Sequence, residues 1–235
     1  MANAFVKAAQ SATDGGNTAA FGSAVSAGSL LCGAVTYAAA ETVSSVTDSL
    51  GNTYSLGTEI EDATNGQAIR TFWAPNSGAG TPTVTVNGVT NGFGTQLIVH
   101  EVSGAATSSP LGQQAGQLQI NPGAGETLTS GSVTTATDGE YIFGVAILTD
   151  SFSSGSAEYT AGTGYTERIE QANGSGLALA TEDQIQTSAG SIAATWTAAQ
   201  GNVRTYITII NTFKAAAGGA ASVFKPDSML LMGVS

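Results

Sequence analysis

Between Phe5 and Phe213 the chain is a succession of short apolar runs, each stopped by glycine, asparagine, aspartate or serine, and no segment keeps a helical period. The runs are Phe5–Ala9, Gly28–Tyr37, Thr42–Asp48, Thr53–Leu56, Gln67–Trp73, Thr83–Asn87, Thr95–Val102, Glu140–Leu148, Ser175–Thr181, Ile192–Thr197 and Arg204–Phe213. Many strands at short spacing with turn signals between them predict an all-β chain, an antiparallel β-sandwich or jelly roll. Glu140–Leu148 is apolar on both phases and reads as a central strand. Thr83–Asn87 alternates, which puts Val84 and Val86 on one side. In the last run Ile207, Ile209, Asn211 and Phe213 share one face, and Tyr206, Thr208, Ile210 and Thr212 the other. Ser49–Asn52 reads as a hairpin connection, because Gly51 and Asn52 tolerate the positive φ of a tight turn.

The chain has 235 residues, enough for one large β domain or two small ones. No composition shift divides the body, so 1–214 reads as one sandwich domain. It is followed by a flexible linker, 215–221, and an apolar tail, 222–235. In that tail Val223, Phe224, Met229, Leu230, Leu231, Met232 and Val234 can bury area against a partner, which makes them the expected assembly residues. The alternative is that the tail folds back onto its own sandwich.

Only 10% of the residues are charged and the net charge is -11. The six basic residues form no cluster, so nucleic acid is not an expected partner. No stretch is apolar enough for membrane insertion, and the N-terminus lacks the pattern of a secretory signal.

The sequence offers little chemistry. Cys32 is the only cysteine and sits in an apolar run, as a buried structural thiol does. His100 is the only histidine, in a strand-like run beside Glu101, where a hydrogen-bonded strand histidine is expected. The acids Glu59, Glu61, Asp62, Glu182, Asp183, Asp138 and Asp150 fit no calcium-loop pattern and read as loop acids. No catalytic residue, metal site or cofactor is expected. Trp196 is in phase with Ile192 and Ala194 and reads as core, whereas Trp73 and Tyr54 are candidates for stacking on a sugar ring.

Phe21–Leu31, Val43–Tyr54 with its Val-Thr-Asp-x-x-Gly-Asn-x-Tyr pattern, and Leu97–Gly104 occur in an order that resembles a β-sandwich domain of phage and bacterial proteins. Gly162–Tyr165, Glu182–Gln184 and the closing strand to Phe213 are similar to the same pattern, so the resemblance spans most of Phe5–Lys214. It implies a non-enzymatic virion structural protein: a capsid decoration, head-fibre or tail-associated protein on the virion surface, assembled in the host cytoplasm. The partners implied are capsid or tail proteins and further copies of the chain. The family brings no catalytic residues. The other readings are a carbohydrate-binding or adhesion module that meets a cell-surface glycan, and an extracellular filament subunit.

Overall fold

The computed structural model describes residues 2–12, 15–92, 94–120, 125–150, 159–172, 177–198 and 204–217. The described chain is all-β and every strand pairing is antiparallel. The first half holds β1 (Ala4–Gln10), β2 (Thr18–Ala20), β3 (Leu30–Ala38), β4 (Ser45–Asp48), β5 (Ser55–Asp62), β6 (Gln67–Ala74), β7 (Thr83–Asn87) and β8 (Gln96–Ser103). The second holds β9 (Leu111–Ile120), β10 (Thr127–Thr129), β11 (Val133–Thr134), β12 (Glu140–Leu148), β13 (Tyr159–Ala161), β14 (Thr166–Ala172), β15 (Ala178–Gln186), β16 (Ser191–Ile192), β17 (Thr195–Ala198) and β18 (Thr205–Phe213).

The two halves have the same topology. The first forms a five-stranded sheet, β1-β8-β3-β6-β5, and a three-stranded sheet, β2-β7-β4. The second forms β9-β18-β12-β15-β14 and β10-β17-β13, with β11-β16 as an added two-stranded ladder. A jelly roll pairs its first strand with its eighth, its second with its seventh and its third with its sixth, and both halves do so. Both also depart from the plain pattern in one way: the fifth strand leaves the small sheet and pairs with the sixth at the edge of the large one. Bulges recur at matching places, near the start of the first strand (Phe5/Lys7; opposite Asn211/Phe213) and in the fifth (Leu56/Glu59; Glu167/Ile169). Bulges are retained features rather than accidents, so this agreement marks the halves as two copies of one unit.

The copies stack through their large sheets. Leu30, Cys32, Ile69, Ile98 and Val102 of the first meet Tyr141, Phe143, Val145, Ile147, Ile207, Ile209 and Phe213 of the second in one apolar layer. The opposite face of each large sheet packs on its own small sheet, through Phe72, Val84, Val86 and Leu97 in the first half and Leu128, Tyr159, Trp196 and Tyr206 in the second. Each large sheet is therefore buried on both faces, which is why β12 and β18 are buried at every position and why β12 reads as a near-continuous apolar run. Within the first large sheet the backbone is crowded at Gly33: a Cβ there would lie 2.3 Å from the Ile98 carbonyl oxygen and 2.7 Å from Phe72 Cζ, both on strands paired with β3. Gly144, its counterpart in β12, would meet Glu182 Cγ at 2.7 Å.

Three expectations change. The span 1–214, read as one sandwich, holds two stacked jelly rolls joined by residues 104–110. The turn at Ser49–Asn52 does not close a hairpin. It carries the chain from β4, in the small sheet, to β5, in the large one. Asp48 fixes this crossing by accepting from the Leu50 and Asn52 backbone N–H groups, the Asn52 amide and the Tyr54 hydroxyl. The linker residue Ala215 is tied down as well: it bridges Ala105, and the Ala216 N–H donates to the Gly104 carbonyl. Residues 218–221 of the linker and the seven apolar tail residues, Val223, Phe224, Met229, Leu230, Leu231, Met232 and Val234, lie outside the described residues.

Candidate functional site

The layer between the two large sheets is mainly apolar; besides the Asn211 amide, which donates to the Thr71 hydroxyl at 3.3 Å, it holds a longer chain of polar side chains. It starts at Thr181 in β15, whose hydroxyl lies 2.9 Å from His100 Nε2 in β8. His100 Nδ1 lies 2.9 Å from the Tyr141 hydroxyl of β12. Tyr141 donates to Asp183 Oδ2 at 2.7 Å. Arg168 of β14 then closes the chain on Asp183 Oδ1, with Nε at 2.9 Å and Nη2 at 2.8 Å. Strand alternation places Thr181 and Asp183 on the same face, two residues apart, and pairing of β14 with β15 brings Arg168 alongside.

The direction of each bond fixes the protons. The Asp183 carboxylate only accepts, so Tyr141 must donate to it. The Tyr141 oxygen then accepts from Nδ1–H, and the bare Nε2 accepts from Thr181. The imidazole is neutral, with its proton on Nδ1. Phe5 and Phe143 hold it edge-on, with ring centroids at 5.1 and 4.9 Å, and the Arg168 guanidinium lies 4.0 Å over the Phe5 ring. Burial first, then nearby Cys32, then the Asp183 charge and hydrogen bond, keeps the Tyr141 hydroxyl well above its usual range. Burial also pushes the Cys32 thiol up, with a smaller push from Asp183.

A hydroxyl, an imidazole and a carboxylate in series have the parts of a nucleophilic relay. Here the geometry removes access. Thr181, His100 and Tyr141 are fully buried. A shallow cavity of about 230 Å³ reaches Phe5, Arg168 and Asp183, but its lining does not extend to Thr181 or His100. A tyrosine also stands between His100 and the acid, so the imidazole is not paired directly with a carboxylate. What this chain of bonds does is satisfy buried polar groups and fix the register of one sheet on the other.

The remaining acids act as local acceptors. Glu59 takes the Tyr37 hydroxyl at 2.5 Å and pairs with Arg70 at 2.9 Å. Asp62 takes Thr149 at 2.6 Å, while Asp138 and Asp150 accept from the Ala189 and Thr205 N–H groups. Glu182 points away from Asp183, into the second sandwich, and accepts from the Gly162 and Thr195 N–H groups. Among the described residues no group of three or more His, Cys, Asp or Glu is placed to hold a metal ion, and no helix is long and apolar enough to cross a membrane.

The stacking candidates lie on opposite faces of one sheet. Trp73 is in the layer between the large sheets, edge-on to Phe213 at 6.2 Å, and Tyr54 packs on Phe72 inside the first sandwich at 5.8 Å. They do not form a common platform. Trp196 is fully buried, in phase as the sequence predicts.

Two buried groups give stability opposing slopes with pH. Burial, then the nearby Arg168 charge, holds His100 down to about 3 from 6.5. Below 6.5 the unfolded chain takes up a proton that the folded protein refuses, so stability falls as pH drops toward 3. Burial raises the Glu182 carboxyl from 4.5 to about 8, against the two N–H donors that lower it. Above 4.5 the unfolded chain releases a proton that the folded protein keeps, so stability falls as pH rises toward 8. Between 4.5 and 6.5 the two slopes cancel, and outside that window each costs about 1.4 kcal/mol per pH unit. Urea midpoints at pH 5.5, 7 and 8 should therefore decline for the native chain, whereas for Glu182→Gln they should rise from pH 5.5 to 7, where the His100 slope alone remains, and stay level from 7 to 8.

No protein family model, no curated protein and no solved structure matches this chain.

Proposed function

We propose that this protein is a non-enzymatic structural component of a virion, a capsid decoration, head-fibre or tail-associated protein at the particle surface that docks through its C-terminal segment onto shell or tail proteins and further copies of itself. The observation that carries the reading is the jelly-roll strand order, present twice and fused face to face. Jelly rolls are the building units of many viral shells. The polar chemistry supports it as well, because the buried acids and the histidine are spent on backbone and side-chain partners inside the body. The described chain ends at Ala217, held on the connector between the halves, so that whatever follows leaves from the junction of the two jelly rolls.

The test is physical association. Particles banded from a culture of the encoding organism should contain the full chain in many copies, and a chain truncated after Ala217 should be absent from them. Finding the full chain only in the soluble fraction overturns the reading.

A further inference from the structure

Four strands form the edges of the two large sheets: β1 and β5 in the first, β9 and β14 in the second. Exposed edges invite strand addition and are usually blunted by charge, proline or bulges. Three of the four are blunted here. β1 is bulged, and its Lys7 ammonium donates to the Ser23 hydroxyl at 2.9 Å and the Ser23 carbonyl at 3.1 Å. β5 carries Glu59, Glu61 and Asp62 as well as a bulge. β14 carries Glu167, Arg168 and Glu170 and its own bulge.

β9 is the exception. At ten residues, Leu-Gly-Gln-Gln-Ala-Gly-Gln-Leu-Gln-Ile, it is the longest strand among the described residues, with no charge and no proline. Its only irregularity lies near its start, so Ala115–Ile120 pairs with β18 in regular register. The other edge of β9 has no partner strand among the described residues. Leu118 and Ile120 are 38% and 67% exposed, two of the three large hydrophobics exposed in the described chain.

We infer that the β9 edge is a strand-addition site and that its occupant is the apolar C-terminal segment of a second copy, residues 222–235. The inference rests on the tail docking proposed above and names the acceptor. The segment Met229-Leu-Leu-Met-Gly-Val-Ser235 matches the edge in chemistry: uncharged, apolar and free of proline. An added strand gains main-chain hydrogen bonds along the edge, and its alternate side chains cover Leu118 and Ile120. A charged segment would meet no opposite charge along this edge and would not cover its apolar side chains.

The path of the chain selects the second copy. After β18 the Lys214 N–H donates to Pro110, the Lys214 carbonyl accepts from Ala106, and the Ala216 N–H donates to Gly104. These partners run backwards from the start of β9 toward the end of β8, so each chain is led away from its own β9 edge. Donor and acceptor surfaces differ, so the contact is heterologous and builds rings or open filaments instead of closed pairs.

Light scattering of the full chain across concentration, with three variants, tests this. The full chain should associate progressively, and the chain truncated after Ala217 should be monomeric. Gln117→Lys/Leu118→Lys, at two exposed positions of β9, should weaken association by roughly tenfold or more. Val6→Lys, at an exposed position of β1, should leave it unchanged. Amide exchange at Ala115–Ile120 should be slower in assembled full chain than in the truncation, a readout that needs no β9 variant to fold. Association of the β9 variant at native strength, with a monomeric truncation, overturns this acceptor and leaves tail docking intact. A monomeric full chain overturns self-docking altogether. Equal association of full and truncated chains overturns both the acceptor and the tail's role.

Discussion

Asp183→Ala should lower the unfolding free energy by about 3–5 kcal/mol, because it removes the acceptor on which a buried polar chain depends. Asp183 is 2% exposed and receives Tyr141 on one oxygen and Arg168 on the other. Without it the Tyr141 hydroxyl has no acceptor, His100 loses the bond order that fixes its proton, and a guanidinium faces an empty corner of the layer. Arg168 is 28% exposed, so water recovers part of its charge energy. Arg168→Met should therefore cost less than Asp183→Ala, and Tyr141→Phe about 1–3 kcal/mol. Urea unfolding of the three variants gives the order directly. A loss below about 1 kcal/mol for Asp183→Ala would mean that the layer does not depend on this chain of bonds.

Trp196→Ala should cost a similar amount, about 3–5 kcal/mol, for a different reason. Among the described residues Trp196 is the largest fully buried side chain, and it fills the second sandwich between Leu128, Tyr159 and Tyr206, edge-on to Tyr159 at 5.5 Å. Truncation leaves a cavity that a strand-built core closes poorly. Its indole N–H has no hydrogen-bond partner, so Trp196→Phe gives up volume but no bond and should cost much less. Because the two halves share the layer between their large sheets, Trp196→Ala should still unfold in one calorimetric transition. Two separated transitions would show that the jelly rolls are independent.

Much of the fold was legible in the sequence where burial leaves a pattern. β12 shows itself as apolar on both phases because sheets cover both of its faces, while β18 carries apolar residues on each phase among threonines and an asparagine. The long strands missed were β9 and β14, both sheet edges; the short β2, β10, β11 and β13 were missed as well. β9 is glutamine-rich and interrupted by Gly112 and Gly116, and β14 is Thr-Glu-Arg-Ile-Glu-Gln-Ala, so neither shows an apolar alternation. The duplication was also missed, because a two-copy repeat with few shared residues has no short period to detect. Its traces are small: Gly33 precedes Gly144 by the same number of residues as Tyr54 precedes Tyr165, and each tyrosine stands immediately before the fifth strand of its copy. Of the site, the burial of Cys32 and the hydrogen-bonded strand position of His100 could be read from their neighbours. Its partners could not, since Tyr141, Thr181 and Asp183 come from the other copy and meet His100 only through the stacking of sheets distant in sequence.

His100 also supplies the most direct measurement, because a single histidine gives a single pair of imidazole nitrogen signals. In ¹⁵N-histidine-labelled protein, stacking of the two jelly rolls over this residue predicts a neutral ring, protonated on Nδ1 and unchanged from pH 8 down to about 4.5. A ring that titrates near its ordinary value, or that carries its proton on Nε2, would contradict the sealed layer between the sheets and the fused pair of jelly rolls built around it.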